Sequence, residues 1–175
     1  MTRTLLLGGA RSGKSRHAEG LLADEVVDYL ATARHDPGDA EWEERITGHL
    51  ARRPASWRTV EPADLPAELR TARRCPVLVD DLGVWLTGEL DDAGAWTDAE
   101  AAVPWVRSRA AELVEAVTAC RTRLVVVSPE VGSGVVPATR AGRLFRDELG
   151  ALNAAVAAAC DEVLLLVAGL PLRLK

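Results

Sequence analysis

The sequence predicts an α/β domain built on a mostly parallel central sheet flanked by helices. Three observations carry that expectation. Short apolar runs bounded by turn residues recur along the chain, segments with helical spacing lie between them, and the first run leads into a glycine-rich turn that opens a helix. Runs this short and apolar suit strands buried on both faces. Helices between successive strands favour right-handed crossovers and parallel pairing.

Taken in order, Thr4–Leu7 reads as the first strand and Lys14–Asp24 as the first helix, with the glycine-rich turn between them. Val26–Ala31 is the second strand, and Thr32, Ala33 and Arg34 follow it at the expected carboxyl edge of the sheet. Glu41–Arg52 has helical spacing and must end near Arg53, because a residue before proline, here Pro54, disfavours the α region. Pro62 and Pro66 then suggest a loop. Val77–Val79 is the third strand, followed by Asp80, Asp81 and a helix over Leu82–Leu90. The Asp91–Gly94 cluster separates that helix from a long one at Asp98–Ala119. Leu124–Val127, Ala138–Ala159 and Val163–Val167 complete the alternation as strand, helix and strand. With no internal repeat or low-complexity tract, residues 1–175 read as one domain.

Composition narrows the function classes. Apolar residues make up 48% and charged residues 27%, the balance of a globular protein. A net charge of −5 with a pI near 5.3 leaves no general electrostatic footprint for a polyanion, so nucleic acid is not an expected partner and phosphate recognition must be local. Cys75, Cys120 and Cys160 are odd in number and lack metal-ligand spacing, and read as small apolar residues in a reducing compartment. No apolar stretch approaches the roughly 20 residues of a membrane span, and Met1 leads directly into a strand-like segment, so a cytoplasmic location is expected. His35 sits in a polar turn before Asp36 and reads as solvated; the five Trp residues read as core or interface.

The turn after the first strand is Gly8-Gly9-Ala10-Arg11-Ser12-Gly13-Lys14-Ser15. It matches the phosphate-loop pattern, and strand and helix flank it as that pattern requires. Glycines let the backbone wrap so that its N–H groups converge on phosphate oxygens at a helix N-terminus. Lys14 adds a mobile positive charge and Ser15 a hydroxyl able to ligate a metal. A nucleoside triphosphate with Mg²⁺ is therefore the expected ligand. Such a site calls for a carboxylate at the end of another strand. In "CPVLVDD", Asp80 is the first candidate and Asp81 the second, one of the two being free to cap the helix at Leu82.

In the segment "WEERITGHLARRPASWRTVE", helical spacing puts Arg45, His49 and Arg52 on one face, with Arg53 adjacent. A histidine among arginines is kept neutral by neighbouring positive charge, and so nucleophilic, while the arginines hold phosphate oxygens for attack at phosphorus. The alternative is a solvated basic face paired with Glu41 and Glu44, and spacing does not decide between them. His17, one turn after Lys14, reads as a packing or hydrogen-bonding residue. Arg140, Arg143, Arg146 and Asp147 on the last helix suit either a ligand or subunit contact or a charged face with an Arg143–Asp147 pair.

Together "GGARSGKSRHAE", "YLATA", "RITGHLARRPASWRTVE", "VLVDDLGVWLTGEL", "EVGSGVVPATRAGRLFRDELGALN" and "DEVLLLVAGLPLRLK" resemble, nearly end to end, the bifunctional adenosylcobinamide kinase / adenosylcobinamide-phosphate guanylyltransferase family. The resemblance implies a RecA-like P-loop NTPase fold, a corrinoid substrate and a homotrimer. It implies two reactions: phosphorylation of adenosylcobinamide from ATP or GTP, then transfer of GMP from GTP to that phosphate through a GMP–histidine intermediate. The matching histidine is His49. Thr32, Ala33, Arg34, Arg52, Arg53 and Glu61 fall where the family contacts nucleotide, and Glu61 offers an acceptor to the guanine N1 and N2 donors. Three departures stand out: Pro129 replaces a usual Asn, Asp81 stands where Cys is common, and the Asp36–Ala40 turn is slightly expanded. They bear on how the corrinoid is held more than on nucleotide binding. Two rival readings are another small-molecule kinase in which His49 only contacts phosphate, and a non-enzymatic nucleotide-gated module.

Overall fold

The computed structural model describes residues 2–34, 38–40, 44, 46–48, 53–71 and 73–175. Its strands are β1 (Arg3–Gly8), β2 (Asp28–Ala31), β3 (Arg58–Val60), β4 (Val77–Asp80), β5 (Leu124–Pro129), β6 (Glu162–Val167) and β7 (Leu170–Arg173). The helices with defined bounds are α1 (Lys14–Leu21), α2 (Leu65–Arg70), α3 (Leu82–Asp92), α4 (Ala99–Ala119) and α5 (Arg140–Ala159). The predicted helix over 41–52 falls largely outside the described residues; of those described, Glu44 and 46–48 are helical.

All seven strands form one sheet in the order β3-β2-β4-β5-β1-β6-β7. Every pairing is parallel except β6 with β7. Alternation along each strand sends side chains to two separate cores. Leu5, Val79, Leu124 and Val126 face α2, α3, α4 and α5. Leu6, Tyr29, Leu78, Val125 and Val127 face α1 and Trp57. A fully buried leucine contributes on the order of 2 kcal/mol, and both faces are lined with such residues, which is why the central strands read as continuous apolar runs.

Side chains fix where the helices begin. Asp64, Asp81, Asp98 and Thr139 accept from the backbone N–H groups of Ala67, Val84, Ala101 and Gly142. These are the donors that the first turn of a helix leaves unpaired. The α1 cap is Gly13, with φ of 91° and no capping side chain, so its N-terminal N–H groups stay available.

Three elements go beyond the sequence expectation. β3 is a three-residue edge strand, too short to show alternation. Pro62 and Pro66 hid α2 in the sequence, yet Pro66 lies in its first turn, where the missing N–H costs nothing. β7 contains Pro171 and survives as the outermost strand, where a missing donor is tolerated. The β6–β7 turn is Ala168-Gly169, both at positive φ, as tight two-residue hairpins require. β2 starts two residues later than expected because Val26 lies out in solvent. Instead of pairing with Asp147, Arg143 donates to the carbonyls of Pro137 and Ala138, and Asp147 is bound by Arg146. The backbone carbonyls that precede α5 are the nearer acceptors for Arg143.

Candidate active site

β1, an interior strand between β5 and β6, delivers the phosphate loop to the carboxyl edge of the sheet. Gly8 has no room for a side chain: a Cβ would sit 2.4 Å from Ser12 Oγ and 2.9 Å from the Leu166 carbonyl. Arg11 and Gly13 both have positive φ, which curls the loop. Gly169 N–H donates to the Ser12 carbonyl at 2.9 Å, so the β6–β7 turn braces the loop from one side. Glu130 N–H donates to the Gly8 carbonyl at 3.0 Å and braces it from the other. Among the described residues, Ser12 Oγ is buried with no hydrogen-bond partner, and the Lys14 ammonium donates to the Gly9 carbonyl at 3.5 Å.

Asp80 ends β4, with β5 between it and the loop strand. Even so the two meet: Ser15 Oγ donates to Asp80 Oδ1 at 3.2 Å. Tyr29 Oη donates to the other carboxylate oxygen at 2.6 Å. Burial, reinforced by the Asp80 charge, pushes the Tyr29 phenol far up, so it remains a donor. Asp81 turns away and caps α3 through Val84 N–H at 2.8 Å. Burial, then the Asp80 charge, raises its carboxyl to about 6. Hydroxyl and carboxylate oxygens are the hard donors that Mg²⁺ takes, and the orphaned Ser12 hydroxyl and uncapped α1 suit a phosphate. The described residues hold no cluster of three or more His, Cys, Asp or Glu able to bind a metal by themselves. A cation here would share ligands with phosphate and water.

Beside this centre lies a cavity of about 360 Å³ lined by Thr32, Ala33, Arg34, Glu61, Trp85 and Glu89, among others. Four of those, Thr32 to Arg34 and Glu61, are sequence candidates from two separate segments. β2 and β3 are adjacent in the sheet, which brings their carboxyl ends together. Thr32 Oγ1 donates to the Asp81 carbonyl at 2.7 Å, and Arg34 is held by both oxygens of Asp92 at 2.7 Å. Trp85 and Glu89 were missed. They sit one helical turn apart on α3, and their only sequence signal was membership of "VLVDDLGVWLTGEL".

Arg53 lies over the Tyr29 ring, 3.5 Å from its centroid, and donates to Thr59 Oγ1 at 2.9 Å. His49, Arg52, Arg45, Glu41 and His35 lie outside the described residues. His17 is half-buried on α1. Cys75, Cys120 and Cys160 are all free thiols.

Residues 4–174 match the family described as cobinamide kinase / cobinamide phosphate guanyltransferase. The chain belongs to this family. It is 45% identical over 181 residues to the bifunctional adenosylcobalamin biosynthesis protein CobP of Pseudomonas aeruginosa, covering 99% of this chain and 97% of that one. It is 39% identical to CobU of Escherichia coli, with 98% of each chain covered. Among solved structures, an ATPase of a bacterial type III secretion system superposes with a TM-score of 0.57 at 15% identity, over 94% of this chain and 50% of that one. That likeness is of fold: a P-loop ATPase sheet with flanking helices. Pro129, at the end of β5, packs its ring on α3. A Cβ on Gly83 would meet Pro129 Cγ at 2.5 Å, and Asn153 Nδ2 donates to the Pro129 carbonyl at 3.0 Å.

Proposed function

We propose that this single domain phosphorylates adenosylcobinamide with ATP or GTP. It then transfers GMP from GTP to the product through a GMP–His49 intermediate, giving adenosylcobinamide-GDP in cobalamin biosynthesis. The observation that supports this best is the phosphate loop facing Asp80 through Ser15, beside a cavity built from Thr32, Ala33, Arg34 and Glu61. It stands in a chain that matches bifunctional relatives end to end.

The loop N–H groups of Gly9 to Gly13 and the Lys14 ammonium hold phosphate oxygens and take up the charge that develops on the leaving group. Ser15 and Asp80 would hold Mg²⁺, which supplies further charge neutralisation when bound. In the kinase step the corrinoid hydroxyl attacks the γ-phosphorus and the nucleoside diphosphate leaves. In the second reaction an imidazole nitrogen of His49 attacks the α-phosphorus of GTP; a P–N bond forms and pyrophosphate departs. An oxygen of the corrinoid phosphate then attacks the same phosphorus and frees the imidazole. Arg52 and Arg53 steady the phosphates, and the cavity takes guanine, with Glu61 accepting from N1–H and N2–H. The protein works in the cytoplasm as a homotrimer. Exposed apolar side chains at the β6–β7 edge, Val167, Leu170, Leu172 and Leu174, support assembly.

The test uses α-labelled GTP. Wild-type protein acquires acid-labile, base-stable label, His49→Asn acquires none and loses guanylyl transfer while retaining the kinase step, and Lys14→Ala loses both. Labelling of His49→Asn would overturn the assignment.

A further inference from the structure

Tyr29 is buried on β2, 1% exposed, and its two chemical faces serve opposite sides of the site. The hydroxyl donates to Asp80 Oδ2 at 2.6 Å, and the other carboxylate oxygen, Oδ1, receives Ser15 Oγ at 3.2 Å. Phenylalanine would fill this strand position with almost the same volume and propensity. What the hydroxyl adds is a donor that satisfies the carboxylate oxygen turned away from Ser15 and so fixes the rotation of Asp80. The ring meanwhile carries the Arg53 guanidinium at 3.5 Å, a cation–π contact that sets the plane of an arginine also tied to Thr59. Arg53 Nε is buried with no partner among the described residues, so the guanidinium keeps donor capacity while its plane is held. Trp57 packs beside the ring, its centroid 6.2 Å from that of Tyr29, and is held by its indole N–H donating to the Glu25 carbonyl at 3.1 Å.

We propose that Tyr29 is a positioning residue for both reactions: its hydroxyl orients Asp80 toward Ser15 and the nucleotide-bound metal, and its ring orients Arg53 at the end of the segment that contains His49. The proposal rests on the reading of this centre as a Mg²⁺–nucleotide site.

The two functions of Tyr29 separate by substitution. In Tyr29→Phe the ring stays and the hydroxyl goes. Mn²⁺ affinity in the complex with GDP, measured by electron paramagnetic resonance of free Mn²⁺, should fall roughly tenfold, while GDP affinity in EDTA is unchanged. The Mg²⁺ needed for half-maximal rate should rise to a similar extent in both reactions, with kcat recovering at saturating Mg²⁺. A residue that only fills the core would lower thermal stability and leave metal affinity alone. Replacing residue 29 by pentafluorophenylalanine keeps the shape but reverses the ring quadrupole. Guanylyl transfer should then fall a further two- to fivefold or so below the Phe variant, with Mn²⁺ affinity staying at the Phe value. Wild-type Mn²⁺ affinity in Tyr29→Phe overturns the Asp80 function, and equal guanylyl transfer in the two variants overturns the Arg53 function. If wild-type protein binds no Mn²⁺ with GDP, the metal-site reading itself falls, and this inference with it.

Discussion

Glu61 is an exposed carboxylate at the rim of the cavity, just beyond the carboxyl end of β3. A carboxylate there accepts from the adjacent N1 and N2 donors of guanine, whereas adenine in the same pose presents an acceptor at N1 and no donor at C2. A two-point contact of this kind is worth about 1–3 kcal/mol of discrimination between bases. Glu61→Gln should therefore lower the GTP-over-ATP ratio of kcat/KM for nucleotidyl transfer by roughly tenfold or more, while Lys14-dependent phosphate binding persists. An unchanged ratio would remove Glu61 from base recognition. The family resemblance singled out Glu61 in "RTVE" and left a base-reading carboxylate and a loop charge as alternatives; the structure adds that Glu61 lines the cavity with Thr32, Ala33 and Arg34.

At the level of elements, the junction of β4 and α3 puts two adjacent carboxyl groups to different uses. Asp80 faces Ser15 and Asp81 caps the helix. Burial, with the Asp80 charge second, raises the Asp81 carboxyl from 3.8 to about 6. The folded protein therefore binds more protons than the unfolded chain between those values, and the contribution of Asp81 to stability is lost as pH rises from about 4 to about 6. The shift corresponds to roughly 2–3 kcal/mol. Asparagine caps as well as aspartate and carries no charge. Asp81→Asn should make the nucleotide-free protein more stable at pH 7 by about 1–3 kcal/mol and flatten its profile between pH 4 and 6, as followed by urea denaturation at several pH values. A profile as steep as that of the wild type would place the titration elsewhere.

For the whole molecule, the sheet has one short, polar edge and one apolar edge. β3 presents Arg58 and Thr59 to solvent, whereas the outer β6–β7 hairpin exposes Val167, Leu170, Leu172 and Leu174. Apolar edge strands attract partners unless covered, and charge on an edge prevents that. The proposed homotrimer should dissociate to monomer in Leu172→Glu, as read by sedimentation velocity. Because the turn of this hairpin braces the phosphate loop through Gly169 and Ser12, nucleotide affinity should weaken with it. A wild-type sedimentation coefficient would move the interface to another face.

Local, periodic and contiguous features were legible in the chain alone. β1, β4 and β5 are apolar because both faces are buried, and the Gly8–Ser15 motif is legible from its own glycine spacing, while Gly169 and Glu130 from distant segments brace the folded loop. The short edge strand β3, the proline-bearing α2 and β7 were not legible, because each owes its stability to a neighbour rather than to its own pattern. Strand order was decided by the tertiary structure, and with it which residues meet. It brings Ser15 and Asp80 together with β5 between their strands, gathers Thr32–Arg34 and Glu61 from paired strand ends, and sets Tyr29 between Asp80 and Arg53. Such encounters join residues far apart in the chain. No local propensity encodes them, since their free energy comes from packing two faces of one sheet at once.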